Sequence, residues 1–378
     1  MWRFTSGAAA MVVISGALPW RQAGDVVDRM APILVFLVAI TVVAELADSA
    51  RVFDVAAREA AHLAAGRTWC LFALVCVLAA GTTILLGLDT TAVLLTPVVL
   101  AVADQLRISP LPFAMITVWL ANTASLLLPV SNLTNLLALH ELGLPPHAFA
   151  ARMWLPTLVS VVGTALVVAV AYRRQLRGSY VVPPHPPVED RPLFLCTAST
   201  CVALVPALLL GGDPTVVVVV GAAVLLGLFA YRRRDALRPG LLPWRLVLLV
   251  LGLALVIEAL LRHGGEHLVL QLMGSGADLP DLLRVAGSGA LASNVGNNLP
   301  AYLALEPGAH QGTSRLLALL VGTNVGPLVL VWGSLATLLW RERCRARGVD
   351  VSPWVFARLG LLGVPPLLVC TTVGLWLS

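Results

Sequence analysis

Long apolar stretches separated by short polar connections dominate this chain. A helix needs roughly 20 apolar residues to cross a bilayer, and the apolar segments leave room for about ten crossings or partial crossings. Some segments, such as 90–103 and 130–140, are too short to cross alone. Runs of Leu, Val and Ala favour helices over the alternating strands of a membrane barrel. The pattern predicts an all-α, polytopic membrane protein.

Three connections are strongly basic, and cytoplasmic loops of membrane proteins carry an excess of such residues. We therefore expect all three connections, and the N-terminus, to lie in the cytoplasm. Segment 68–103 then forms a hairpin that enters from the cytoplasmic side, and 112–140 is an interrupted crossing. The arginines concerned are Arg173, Arg174, Arg177 and Arg191; Arg232, Arg233, Arg234 and Arg238; and Arg341, Arg343, Arg345 and Arg347.

The second half repeats this order with a hairpin over 282–305 and an interrupted crossing over 315–340. The same parts in opposite orientation are typical of secondary transporters. The sequence thus predicts two inverted-topology repeats, each with a re-entrant hairpin and an interrupted transmembrane helix. Aligning Asn122 with Asn324 supports the pairing. The predicted units are an N-terminal half (1–172), a cytoplasmic linker (173–191) with Pro183, Pro184, Pro186 and Pro187, and a C-terminal half (192–378).

Four polar clusters interrupt the apolar sequence at the predicted hairpin tips and helix breaks. Polar groups in hydrocarbon are expensive unless they find partners or line a cavity. Broken helices point free backbone groups at a central site, so uncharged tips suit a hydroxylated solute or a dehydrated cation. The alternative is that these residues only join helices by packing. The candidate binding residues are Asp89, Thr90, Thr91, Asn122, Ser125, Ser131, Asn132, Asn135, Ser293, Asn294, Asn297, Asn298, Thr323 and Asn324.

Asp89 is the only acid within these clusters. A carboxylate in the membrane is a functional candidate, able to take up a proton or balance a cation. Asp89 followed by two threonines also suits the N-cap of a helix over 90–103. Glu45 and Glu258 occupy matching positions in the two halves and are further coupling candidates, although both fall near helix ends.

Composition excludes several classes of protein. Hydrophobic residues make up 58% of the 378 positions and charged residues 12%. This composition is far outside the range of soluble globular domains. The net charge of +5 arises from arginines in short loops, so we expect orientation in a membrane and no nucleic-acid partner. The sequence lacks the Walker, HExxH and GxSxG motifs, and its six cysteines form no CxxC pair. We expect a non-enzymatic protein without a cofactor or metal site.

The clusters resemble the arsenite/antimonite permease family, within the ion transporter superfamily that also contains sodium-coupled dicarboxylate symporters. The resemblance starts at about Thr5, after the family's first helix, and continues to the C-terminus. The family usually has acids where Asn122 and Asn324 stand and a lysine where Leu328 stands. The closest matches are Asp89 to Pro97, Asn122 to Ser125, Ser131 to Asn135, Asn297 to Pro300, Gly326-Pro327 and Gly333 to Trp340.

The resemblance implies a bacterial plasma-membrane antiporter that exports arsenite or antimonite, as the uncharged hydroxylated species, in exchange for protons. It also implies association with a separate ATPase subunit, and a homodimer is among the oligomeric states left open. The main alternative is a sodium-coupled uptake symporter for an organic or inorganic anion, in which asparagines and backbone carbonyls hold Na⁺ and a helix N-terminus holds the anion. A membrane scaffold or channel is a third reading.

Overall fold

The computed structural model describes residues 2–182, 190–310 and 312–378. These residues are mostly helical, and their only β structure is an isolated bridge between Arg67 and Ser179. The predicted all-α fold is confirmed. The helices are α1 (Trp2–Ile14), α2 (Trp20–Ser49), α3 (Val52–Leu63), α4 (Thr68–Leu86), α5 (Leu88–Thr90), α6 (Thr96–Gln105), α7 (Leu111–Thr123), α8 (Leu133–Leu142), α9 (Pro146–Ala171), α10 (Arg191–Leu209), α11 (Pro214–Arg232), α12 (Trp244–Leu260), α13 (Glu266–Met273), α14 (Leu279–Gly296), α15 (Asn298–Ala309), α16 (Thr313–Val325), α17 (Leu335–Ala346) and α18 (Pro353–Trp376).

Eight helical segments among the described residues are long and apolar enough to cross a membrane. Several of them, including α10 and α11, expose large apolar side chains that lipid can cover. By contrast, α7 is buried from Pro112 to Thr123 and α16 from Arg315 to Val325. These two helices therefore form the centre of the bundle, and the more exposed spans surround them.

Two helical hairpins turn at residues with an unusual backbone. In the first, Gly87 (φ 90°, ψ 164°) separates α4 from α5, and a π-helical turn over Thr91–Leu95 continues into α6. In the second, Asn297 (φ 85°, ψ 155°) separates α14 from α15. Glycine is almost the only residue that adopts this region without strain. The two tips therefore have the same backbone conformation, which a strained asparagine adopts in the second tip.

Two helices are interrupted at corresponding points. The first ends as α7 and resumes as α8, and the second ends as α16 and resumes as α17. Asn122 and Asn324 are each the penultimate residue of a 13-residue helix. Extended N-cap residues, Asn132 and Ser334, begin α8 and α17 and accept hydrogen bonds from backbone amides. The predicted interruptions are present in both halves.

The order of elements recurs along the chain. A long helix (α2 or α12), a short amphipathic helix (α3 or α13), a hairpin, an interrupted helix and a closing helix (α9 or α18) follow one another in both halves. The packing recurs as well, because α1 packs along α12 as α11 packs along α2, and α9 packs on α18. The opposite orientation of the halves in a membrane stays a prediction.

The basic connections gather at one end of the bundle. Arg232 forms an ion pair with Asp190 at 2.9 Å, and Arg233 donates a hydrogen bond to the carbonyl oxygen of Ser49 at the end of α2. The beginning of the predicted linker docks on the base of the first hairpin, where the Tyr180 amide donates to the Gly66 carbonyl. The linker prolines Pro183, Pro184, Pro186 and Pro187 lie outside the described residues.

Candidate functional site

The two helix breaks meet at the side chain of Asn324. Its Oδ1 accepts a hydrogen bond from Asn132 Nδ2 at 2.5 Å and lies 2.8 Å from the Ser125 hydroxyl. Asn324 lies in the last turn of α16 in the second half, whereas Ser125 and Asn132 flank the break in the first half. All three side chains are buried. The structure thus joins three of the predicted residues across the two halves.

Three of the seven buried side-chain oxygen atoms that lack a hydrogen-bond partner among the described residues lie at the first break. Asn122 Oδ1, Asn135 Oδ1 and Thr134 Oγ1 are buried, and none has a hydrogen-bond partner among the described residues. The amide groups of the two asparagines are already used, because Asn122 donates to Val118 and Asn135 donates to Ser125 and Leu128. Buried polar atoms normally find partners, so an unpaired group calls for an explanation. Two carbonyl oxygens and a hydroxyl are therefore available to a bound solute or ion.

The first hairpin tip lies against the first break. Ser131 donates from its hydroxyl to the Ile84 carbonyl oxygen at 3.0 Å, and a Cβ atom at Gly87 would be 3.4 Å from the Ser131 carbonyl oxygen. Thr91 shares a hydrogen bond with Thr83 at 2.8 Å, and the Thr90 hydroxyl donates to the Leu86 carbonyl. These bonds fix the tip, and the π-helical turn beside it is a feature common at functional sites.

Asp89 lies in α5 at the first hairpin tip, and α5 packs against α17. Its side chain is partly exposed, and the described residues give it no hydrogen bond or ion pair. The helix begins at Leu88 with Gly87 as its N-cap, and no side chain caps it. The N-cap reading of Asp89 is therefore wrong, and its carboxylate remains available for other chemistry.

The second hairpin tip is tied to the second break by Asn294. Its Oδ1 accepts from the Leu330 amide at 2.8 Å, and its Nδ2 donates to the Gly326 carbonyl at 2.7 Å. Asn297 donates to the Trp332 carbonyl at 3.2 Å. Asn294 is thus saturated by backbone partners and holds hairpin to break. Both ends of the Asn294 amide therefore have backbone partners, whereas its part in binding stays a prediction.

The other second-half candidates differ in their partners. Asn298 is buried at the start of α15, and its side chain forms no hydrogen bond to a described residue. The hydroxyls of Ser293 and Thr323 donate to carbonyl oxygens of their own helices, at Gly289 and Leu319. These two hydroxyls stabilise local structure, and Asn298 retains free hydrogen-bonding capacity.

The ends of four helices give the breaks a mixed polarity. α8 and α17 begin there, with partial positive charge, and α7 and α16 end there, with partial negative charge. Each interrupted helix contacts the other half of the chain, since α8 packs on α15 and α16, and α17 packs on α5 and α7. Asp89 is the only charged residue of the predicted clusters. Such a site suits a small neutral solute with hydroxyl groups, or a cation near Asp89.

The other coupling candidates lie elsewhere. Glu45 and Glu258 are near the C-terminal ends of α2 and α12, in neither a break nor a hairpin tip. Glu258 forms an ion pair with Arg262 at 2.9 Å. The described residues contain no group of three or more His, Cys, Asp and Glu side chains able to hold a metal ion.

The structure adds two residues that the list of candidate binding residues did not include. Thr134 is the second residue of α8 and carries one of the unpaired oxygens. Its place within a polar run of the sequence was the signal available for it. Glu306 is buried in α15, just beyond an apolar segment predicted to end at residue 305. The signal available for it was an acid directly after the last apolar residue of the predicted second hairpin.

Comparisons with known proteins agree with this architecture. The arsenical pump membrane protein of Escherichia coli is 26% identical over 400 residues, covering 99% of this chain and 92% of the relative. That of Yersinia enterocolitica is 27% identical, covering 97% and 91%. A putative arsenical pump membrane protein of Bacillus subtilis is 24% identical, covering 98% and 93%. The resemblance to arsenite permeases is confirmed.

A solved structure and a family profile complete the comparison. The crystal structure of the Alcanivorax borkumensis YdaH transporter, described as having an unusual topology, matches with a TM-score of 0.55, 14% identity, and coverage of 95% of this chain and 90% of the other. At this identity the match concerns the fold alone. The profile of the family CitMHS, described as citrate transporter, matches residues 2–337. The chain therefore belongs to the CitMHS family and is a multi-pass bacterial membrane transporter.

Proposed function

We propose that this chain is a secondary active transporter that exports arsenite or antimonite, as the uncharged hydroxylated species, in exchange for protons. The observation that carries the proposal is the meeting of both helix breaks at Asn324, beside three unpaired buried oxygens. A neutral trihydroxy solute offers hydroxyl donors to those oxygens. The names of the relatives add the substrate class.

The two-half organisation is part of this proposal. Residues 1–172 and 192–378 would be inverted repeats on either side of the linker 173–191. Support comes from the recurring order of elements, the equal length of α7 and α16, and the matching tips at Gly87 and Asn297. Two related halves that share one site provide a physical basis for alternating access, because exchange of their conformations exposes the site to the opposite side.

Asp89 is the coupling residue in this proposal. Its carboxylate, at the tip of the first hairpin, has no partner among the described residues, so a proton there neutralises the only formal charge of the site clusters. The proton-bound form of the site is then neutral. The negative charge of Asp89 is present only in the half-cycle that carries the neutral solute.

A growth assay tests the proposal. In a bacterial strain that lacks arsenite export, expression of the wild-type chain is expected to restore growth in arsenite, and Asp89→Asn is expected to abolish that resistance at equal expression. Asp104→Asn is the matched control, since Asp104 is exposed on the same hairpin. Undiminished resistance with Asp89→Asn would reject the coupling role, and no resistance from the wild type would reject the substrate.

The second candidate function is a sodium-coupled symporter for an organic or inorganic anion. The observation that favours it is the family description, citrate transporter. The N-termini of α8 and α17 offer backbone amides to an anion, and Asp89 with the free oxygens of Asn122 and Asn135 offers ligands to Na⁺. Proteoliposome uptake distinguishes the two: dependence on external Na⁺ with citrate supports the symporter, and pH-dependent arsenite exchange supports the antiporter.

A separate ATPase subunit and a homodimer stay predictions of the family resemblance. Co-purification of the wild-type chain with an ATPase encoded in the same genome tests the first. The mass of the detergent-solubilised protein, measured by light scattering with correction for bound detergent, tests the second.

A further inference from the structure

Five ionisable side chains form a charged cluster that we call the outer cluster: Arg29, Glu141, Tyr302, Glu306 and His310. The Arg29 guanidinium donates to Glu306 and lies 3.9 Å from Glu141 Oε2. The Tyr302 hydroxyl donates to Glu306 Oε1 at 3.1 Å, and His310 Nδ1 is 2.9 Å from Glu141 Oε1. The cluster therefore links α2, the end of α8 and the end of the second hairpin.

The outer cluster lies at the end of the bundle opposite the basic connections. Glu141 is at the end of α8, immediately before α9, whereas Arg173 follows the other end of α9. With the basic connections in the cytoplasm, the outer cluster faces the extracytoplasmic side. A proton reaching the protein from that side meets this cluster before it meets the helix breaks.

Burial increases through the outer cluster. The side chains of Arg29, Glu141 and His310 are 38%, 32% and 40% exposed, whereas that of Glu306 is 3% exposed. Glu306 is the only acid among the described buried residues. A carboxylate so placed requires a partner, because an unpaired buried charge is strongly unfavourable. Arg29 supplies that partner from a different element, and Tyr302 supplies a hydrogen bond.

The charges of the outer cluster do not balance without a proton. Two carboxylates face one permanent cation, so the cluster is one unit negative unless a proton resides on His310 or on a carboxylate. Other elements packed on α15 add no ionisable contact to Glu306 among the described side chains. Three arginines on or next to those elements bind other groups: Arg262 pairs with Glu258, Arg284 donates to the Gln271 and Leu272 carbonyls, and Arg315 donates to the carbonyls of Met273, Gly274, Gly276 and Gly308.

We propose that the outer cluster is a proton-binding site of the transport cycle, at which a proton on Glu306 replaces Arg29. The proton adds to the carboxylate, the ion pair breaks, and Arg29 stays with Glu141. The second hairpin is then released from α2. Loss of the same proton restores the ion pair and fixes the hairpin again. The inference rests on the proposed function, because it assigns a second proton site to that exchange.

Two transport assays on purified protein in proteoliposomes test the inference, both with arsenite as the probe. Counterflow at equal pH measures solute exchange without a proton gradient, and accumulation driven by a pH gradient measures coupling. Glu306→Gln is expected to lower gradient-driven accumulation at least about tenfold, a loss within the usual range of coupling free energies. Counterflow of this variant is expected to fall by no more than about threefold. Its transport is also expected to vary less with pH than that of the wild type.

Asp28→Asn is the matched control, because Asp28 is exposed and adjacent to Arg29 on the same helix. Glu306→Asp retains a carboxylate and is expected to retain part of the coupling. Should Glu306→Gln fail to fold, the double variant Arg29→Gln with Glu306→Gln removes the ion pair without leaving an unpaired charge, and the same loss of coupling is expected.

The outcomes separate the two proposals. If the wild-type protein showed counterflow and Glu306→Gln, or the double variant, kept full gradient-driven accumulation, this inference alone would be overturned. Absence of arsenite counterflow in the wild type would reject the proposed function, and the inference with it. The inference would be supported if Glu306→Gln lost gradient-driven accumulation but retained counterflow, while Asp28→Asn retained both.

Discussion

Asn324 provides one carbonyl oxygen to two groups from the other half of the chain. Asn132 donates to it directly, whereas the single Ser125 hydroxyl hydrogen has a choice between Asn324 Oδ1 and the Asn122 carbonyl oxygen at 2.6 Å. Asn324 Nδ2 is held by Leu320 of its own helix, so the orientation of the amide is fixed. The side chain therefore acts as a rigid acceptor between the halves.

Asn324→Ala removes that acceptor. The Ser125 hydroxyl retains the Asn122 carbonyl, but the Asn132 amide loses its partner, which costs about 1–3 kcal/mol. We expect a lower midpoint of thermal unfolding in detergent and at least about a tenfold loss of arsenite counterflow, equivalent to roughly 1.4 kcal/mol. Thr197→Val is the control, because the Thr197 hydroxyl is buried in α10 and, among the described residues, donates only to the Leu193 carbonyl oxygen. Equal losses in both variants would contradict a special role for Asn324.

Uncharged polar residues are conspicuous in apolar helices, and the candidate site residues were predicted for that reason. Asn132 and Asn324 were predicted on that basis, and the structure joins them. The same reasoning could not separate Asn294, whose amide is saturated by backbone, from Asn122, whose oxygen is free. Hydrogen-bond partners depend on tertiary contacts that the sequence does not contain.

The hairpin tips, at the scale of the element, depend on their backbone conformation. Gly87→Ala places a Cβ in a region of φ and ψ that only glycine adopts without strain, at a cost of about 1–3 kcal/mol. We expect a lower unfolding midpoint and weaker transport. Asn297→Gly relieves strain at the equivalent tip and is expected to raise the unfolding midpoint. Gly81→Ala is the control, since a Cβ there meets no atom within 4 Å.

Close packing of α14 against α16 depends on glycine. A Cβ atom at Gly322 would lie 2.2 Å from the Ala286 carbonyl oxygen, so Gly322→Ala forces the two helices apart. Overpacking of this kind costs about 1–3 kcal/mol, and we expect the unfolding midpoint to fall. Gly287→Ala, in α14, introduces the same methyl group where nothing lies within 4 Å. If Gly287→Ala destabilised the protein as much, the close approach would not be the cause.

Elements with a strong apolar signal were predicted well, and amphipathic ones were missed. The hairpins and interrupted helices follow from apolar runs too short to cross a bilayer. The short helices α3 and α13 lie between such runs and contain charged residues, so a search for apolar segments passes over them. Their helical structure depends on packing one face against the bundle, as α3 does on α4 and α6.

The whole molecule is expected to have a fixed orientation in the membrane. In a variant without native cysteines, His147→Cys should react with a membrane-impermeant maleimide in intact cells, because it begins α9 at the outer-cluster end. Arg347→Cys, after the basic end of α17, should react only once the membrane is permeabilised. Labelling of both cysteines from the same side would contradict the predicted topology.

Counterflow in proteoliposomes is the measurement that tests the central claim most directly. Vesicles containing the purified protein are preloaded with arsenite, and uptake of labelled arsenite is followed at equal pH on both sides. A solute site shared by the two helix breaks predicts uptake that saturates with external arsenite and is lost in Asn324→Ala but kept in Thr197→Val. Uptake that rises linearly with concentration, or saturable uptake that Asn324→Ala leaves intact, would contradict the claim.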